Sequence, residues 1–196
     1  MNVTLRVLAV PALLLGAMPL GAQEEGPAVV FQTFGGAATH LRDLNSSGSA
    51  ADFKLGYTLG LAIGLQVNDH IALHGDFTYA RNVARGASSF AGVKIDRLYY
   101  GAHVELSYPT ESGFAPFVFG GGGAVAVEEA ASGPTRINFT KPAVMFGAGL
   151  RYRIPGVPVE LLAEGKSMVY KWEGGGFSRT QWDLSYAVGL AYRMEL

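Results

Sequence analysis

The sequence predicts an all-β fold, an eight-stranded antiparallel up-and-down transmembrane β-barrel. Three observations carry that reading. The last sixteen residues, 181–196, alternate without a break: Trp182, Leu184, Tyr186, Val188, Leu190, Tyr192, Met194 and Leu196 share one face, and Gln181, Asp183, Ser185, Ala187, Gly189, Ala191, Arg193 and Glu195 share the other. Side chains alternate between faces with this period only in a strand. The run exceeds the roughly five or six residues of an ordinary strand and reaches the roughly nine to eleven that cross a bilayer at a tilt. The same alternation recurs upstream, and the connections between copies are alternately short and long.

The elements follow in chain order. Residues 1–22 read as a secretory signal peptide: Arg6 supplies the charge, Val7 to Leu15 the apolar stretch, and Leu20-Gly21-Ala22 the cleavage site. Residues 23–196 form the barrel domain. The first strand spans about 28–39, where glycine and alanine blur the two faces. Six further copies precede the last strand, with lipid-facing sets anchored by Leu59 and Ile63, Leu73 and Phe77, Tyr100 and Val104, Phe117 and Phe119, Phe146 and Leu150, and Leu161 and Ala163. Short turns fall at 68–69, 109–115 and 155–158, and longer polar loops at 41–51, 82–93, 129–140 and 173–180. An even strand number puts both termini at the short-turn end. Tyr57, Tyr79, Tyr100, Trp182 and Tyr186 belong to an aromatic belt on the loop side, and Tyr108, Phe117, Tyr152 and Tyr192 to one on the turn side.

Closure is a physical requirement. Lipid offers no partner for backbone N–H and C=O groups, and an open sheet leaves an edge unpaired. Beyond the first 22 residues no apolar run of 18 occurs, which excludes membrane-spanning helices. The net charge of −1 provides no basic surface for nucleic acid. The absence of cysteine excludes disulfides, cysteine-ligated zinc and lipid attachment at cysteine.

The inward face carries the charge. Lys54, Arg97, Arg151, Arg153, Lys166 and Arg193 oppose Asp76, Glu105, Glu128, Glu160, Glu164, Asp183 and Glu195, with His74 and His103 among them. An eight-stranded barrel is just wide enough for side chains to fill, and buried charges must pair. The expectation is therefore a self-neutralising plug, with inward glycines making room for long Arg and Lys. A narrow pore lined by the same charges is the alternative. His74 and His103 fall on neighbouring strands with Asp76 and Glu105 next to them, a donor set suited to a divalent metal. Such residues more commonly join a polar network, and neither metal nor cofactor is expected. His40 is the only histidine near the loop end and the sole candidate base for a lipid-modifying enzyme, but no nucleophile accompanies it in sequence. No enzymatic activity is expected. Gly120–Gly123 lies within a strand and lacks a following Lys-Ser/Thr, so it is no phosphate loop.

The strand count, the loop rhythm, Phe117-Val118-Phe119-Gly120-Gly121, Gly147-Ala148-Gly149-Leu150-Arg151-Tyr152 and the terminal strand together resemble the small outer-membrane barrels of the outer-membrane protein A and protein X type. The resemblance covers essentially all of the chain after the signal. It implies a monomer in the outer membrane of a diderm bacterium, surrounded by lipid and lipopolysaccharide. It also implies that the barrel-assembly machinery reads the last strand, where Leu196 stands in place of the family's usual aromatic. A peptidoglycan-binding domain is not expected. The expected role is structural or interactive, with Arg42, Asp43, Arg85, Phe90, Arg136, Phe139, Phe177 and Arg179 as candidate outer-loop contacts for an extracellular ligand.

Overall fold

Each long alternation becomes a strand because only one of its faces can leave water and remain paired. In a computed structural model that describes residues 26–40, 52–85, 92–129, 137–174 and 177–196, the strands are β1 (Ala28–His40), β2 (Asp52–Phe53), β3 (Gly56–Asn68), β4 (Ile71–Arg85), β5 (Lys94–Ser107), β6 (Phe114–Glu129), β7 (Asn138–Arg153), β8 (Val159–Gly174) and β9 (Phe177–Glu195). Every long strand pairs antiparallel with its sequence neighbour, and β1 pairs with β9 from Ala28 opposite Glu195 to His40 opposite Asp183. The eight long strands thus close into a barrel, and β2 adds only a short rung on the end of β4. The segment 1–22 lies outside the described residues.

The short turns have identifiable causes. Asn68 Oδ1 accepts the backbone N–H of both His70 and Ile71 at 2.9 Å, an Asx arrangement that fixes the first turn. Gly113 and Gly156, at φ 82° and 78°, occupy the left-handed positions of the other two, where a Cβ would be strained.

On the loop side three expected boundaries move. Residues 82–85 belong to β4, with Asn82 opposite Ile95 and Val83 opposite Lys94. Residues 138–140 belong to β7, paired with Val127 and its neighbours on β6, because the alternation continues past the polar residues. The expected loop at 173–180 is instead a close hairpin: Gly174 pairs with Phe177, Glu173 with Ser178 and Trp172 with Arg179. Phe177 and Arg179 are accordingly strand residues. Ser178, Arg179 and Thr180 are paired strand residues with exposed polar side chains, so polar composition there does not mark a loop. Glu173 there lies between Lys141 and Lys171. Hydrogen bonds from those two ammonium groups, Lys141 first, hold its carboxyl down at about 2. A folded-state value below the unfolded one means that this contribution to stability is complete above the ordinary glutamate range. It disappears as pH falls towards 2. An NMR titration of the Glu173 carboxylate is expected to show a midpoint well below that of a free glutamate.

The outer face is apolar over its middle. Leu59, Leu61, Ile63, Phe77, Val104, Val144, Val188 and Leu190 are all exposed there. A continuous exposed apolar surface of this kind is a lipid-facing surface. Its borders carry paired rings: Tyr57 on Tyr79, Phe146 edge-on to Trp182, and Phe114 on Tyr152.

β6 is turned over relative to the sequence reading. Phe117, Phe119, Val125 and Val127 are buried inside the barrel, whereas Val118 and Glu128 face out. Both faces of this strand are apolar over most of its length, so alternation identifies which residues share a face but not which face is inward. Pairing decides it. Glu105 stands opposite Phe119 on one side and Gly147 stands opposite it on the other, and directly opposed residues point the same way. Phe117 therefore leaves the turn-side belt for the lumen, and Glu128 leaves the inward charge set.

Candidate functional site

Among the described residues, the lumen gathers most of the buried chemistry-bearing side chains, from one end to the other. At the turn end Arg193 donates to Gln66 at 3.0 Å, and Arg153 lies 3.3 Å from Glu160. In the middle Arg151 grips Glu105 with both terminal nitrogens, Nη2 to Oε2 at 2.5 Å. Beside it Lys166 lies 2.6 Å from Asp76 and 3.3 Å from Glu164, and Thr78 donates to Asp76 at 2.7 Å. Towards the loops Asp183 gathers Tyr170 at 3.0 Å, Arg97 at 3.4 Å, and His40. Asn82 accepts from Arg97 and donates to the carbonyls of Ala38 and Lys54.

These pairs differ greatly in burial, and so in what they are worth. The Lys166 and Asp76 side chains are each 1% exposed. The Arg153 side chain is 40% exposed, so water screens its pair with Glu160. Arg153→Ala is therefore expected to change stability by less than about 1 kcal/mol, measured by urea unfolding in detergent.

A second layer is apolar. Phe53, Ile95, Tyr99, Phe119, Val125, Met145, Met168 and Trp172 form one buried cluster, contributed mainly by β5–β8. Its loop-side end is a group of packed rings. Phe53 packs on His40 at 4.1 Å and on Trp172 at 6.3 Å, and Phe139 meets Trp172 edge-on at 5.3 Å. The inward glycines serve this layer. Phe117 stands opposite Gly149, Phe119 opposite Gly147 and Phe34 opposite Gly60, and a Cβ at any of these glycines would enter the facing ring. Space expected for long cations holds aromatic rings instead, and cations settle over two of those rings: Lys166 over Phe34 at 4.4 Å and Arg151 over Phe117 at 4.7 Å.

Of the fifteen charged and histidine residues expected on the inward face, Glu128 and Glu195 are exposed, and twelve lie in the network or at its turn-end mouth. Lys54 does not. It precedes β3, its side chain is exposed, and only its backbone joins the network, because the barrel wall has not yet begun there. His74 and His103 are directly opposed on β4 and β5, with rings stacked at 5.0 Å. His40 points inward, with its side chain 1% exposed, and is engaged by Asp183, Arg97 and Gln181. That position is inside the barrel, away from the lipid face that a lipid-modifying enzyme would need.

The candidate outer contacts fare differently. Arg42, Asp43, Phe90 and Arg136 lie outside the described residues. Arg85 ends β4, paired with Asp52. Phe139 is partly buried against the apolar cluster, so it is a packing residue and not a loop contact. Phe177 and Arg179 sit on β9, with Arg179 exposed.

Sequence reasoning missed Phe53, Met168, Tyr170 and Trp172. The last three continue the inward parity set by Lys166 on the same strand, which is the signal that identifies them. Phe53 carries no such signal, since it reaches the lumen from a two-residue strand.

A small, closed barrel with a greasy girdle and a packed, ion-paired interior is an outer-membrane β-barrel protein. The chain belongs to the outer membrane protein beta-barrel domain family, whose pattern it matches over residues 8–195. No curated protein sequence matches it. Among solved structures it resembles Neisserial surface protein A, with 13% identity, a TM-score of 0.60 and coverage of 87% of this chain and 99% of that one. It also resembles OprG from Pseudomonas aeruginosa, with 15% identity, a TM-score of 0.54 and coverage of 88% and 98%. The N-terminal barrel of OprF from the same organism gives 16%, 0.52, 87% and 100%. At these identities the likeness concerns the fold.

Proposed function

We propose that this protein is a non-conducting outer-membrane barrel that contributes to envelope integrity and presents its outer loops for contact. What supports the reading is the packing of side chains at three levels of the lumen among the described residues. The rings of Phe53, Phe139 and Trp172 stopper the loop end, and the Lys166–Asp76 and Arg151–Glu105 pairs block the middle. At the turn end a recess of about 60 Å³, lined by Gln66, Ser107, Arg153 and Glu160 among others, stops against Arg151. That recess has room for a few water molecules and not for a solute. Outer-leaflet lipid and lipopolysaccharide are its partners along the girdle, and the barrel-assembly machinery is its partner during insertion.

Liposome swelling tests this. Vesicles containing the refolded protein are expected to exclude even the smallest sugars, at the rate of protein-free vesicles. Swelling above that rate would replace the plug with a narrow channel.

A further inference from the structure

His74 and His103 have more capacity than the network around them uses. Both are buried, at 0% and 6% exposure, and His74 Nε2 and His103 Nδ1 have no hydrogen-bond partner. Buried polar atoms in that state are costly unless something else occupies the site. His74 Nε2 points towards Glu105, 3.7 Å from Oε2. One donor atom from each of His74, His103 and Glu105 lies within 4.8 Å of the other two.

From this geometry we infer that His74, His103 and Glu105 form a binding site for one divalent transition-metal ion at the middle of the barrel. Two neutral imidazoles and one carboxylate suit zinc or copper. Metal–nitrogen bonds of about 2.0–2.1 Å require the donors to draw together by about an ångström. The surroundings support that movement. The His74 ring rests on Gly64, opposite it on β3, where a Cβ would collide with the imidazole. Gln32 Nε2 lies 3.5 Å from His74 Nδ1. Turning that amide over presents its oxygen to an Nδ1–H, which leaves the lone pair on Nε2 for the metal. Phe119 borders His103 at 4.9 Å and keeps that side dry. Of the two neighbouring cations, Lys166 is already matched by Asp76, and Arg151 Nη1 retains Glu105 Oε1 when Oε2, the oxygen nearer His74, turns to the metal. Asp76 is held by Lys166 and Thr78, so it is not a ligand.

The test uses untagged protein refolded in detergent with cupric ion as the probe, read by equilibrium dialysis and electron paramagnetic resonance. One copper per chain with nitrogen coupling from two imidazoles is expected. His74→Phe and His103→Phe, which keep a ring in each position, should each weaken binding by about 100-fold or more. His70→Gln, at the turn, should leave binding unchanged. The gel mobility shift on boiling verifies that each variant is folded. Where a histidine variant does not fold, Glu105→Gln and the nitrogen count in the wild-type spectrum still decide the matter. Absence of stoichiometric binding, a signal with fewer than two nitrogens, or unchanged affinity in folded His74→Phe would overturn the assignment.

Discussion

Lys166→Met is expected to destabilise the barrel by about 3–5 kcal/mol. Lys166 lies inside the lumen with its side chain 1% exposed, and Asp76, at 2.6 Å, is equally buried. Removing the ammonium leaves Asp76 charged, without its counter-ion and out of reach of water. Thr78 can still donate to Asp76, but a hydroxyl does not neutralise a carboxylate. Glu164 loses its contact as well. The loss therefore exceeds what the ion pair itself is worth, because a broken buried pair is worse than none. Lys166→Met combined with Asp76→Leu should accordingly recover much of the lost stability, since apolar replacement of both partners is often near neutral. Urea unfolding in detergent, read by tryptophan fluorescence with the mobility shift as a second probe, gives the double-mutant cycle. A single variant within about 1 kcal/mol of wild type would mean that Asp76 is solvated, and the interior would not be the dry network described.

The second large effect divides four consecutive glycines. Gly121→Val is expected to prevent folding, whereas Gly120→Val is expected to be tolerated. At Gly121 a Cβ would run into the Ala102 carbonyl and the His103 backbone on β5, which cannot give way without displacing the strand. At Gly120 the nearest atom is the Met145 carbonyl at 4.0 Å, an ordinary contact, and the position faces lipid, where valine is at home. Gly123 and Gly122 repeat the contrast. Overpacking a well-filled interior costs about 1–3 kcal/mol and more where backbone must move, whereas a lipid-facing valine adds favourable apolar surface. Refolding yield judged by heat-dependent mobility reads the difference. Were β6 oriented with Phe117 towards lipid, the pattern would reverse, so this experiment tests the inversion directly.

What was legible in the sequence has a common physical origin. The alternation of 182–196 with 181–195, the Arg151–Leu150 and Lys166–Gly165 steps, and the polar turns at 68–69 and 155–158 determined the strand number, the up-and-down order, the closure and the identity of most lumen charges. Membrane solvation enforces that outcome: a charge on the lipid face is expensive, so along the apolar girdle the charged face of a strand points inward, while outward charges such as Glu128 and the Arg81–Asp96 pair lie near the strand ends. The same rule is silent where charge is absent. On β6 neither Phe117 and Phe119 nor Val118 and Gly120 declares itself, and only the pairing with Glu105 on β5 and Gly147 on β7 turned the rings inward. Polarity was equally uninformative at 173–180, where paired strand residues carry exposed polar side chains, so the expected loop became the β8–β9 hairpin. Tertiary structure alone decided that inward glycines hold aromatic rings, that Phe53 reaches back over the mouth, and that His74 and His103 stack with Glu105 beside them. Each of these depends on inter-strand register, a relation between distant segments that no single strand's alternation contains.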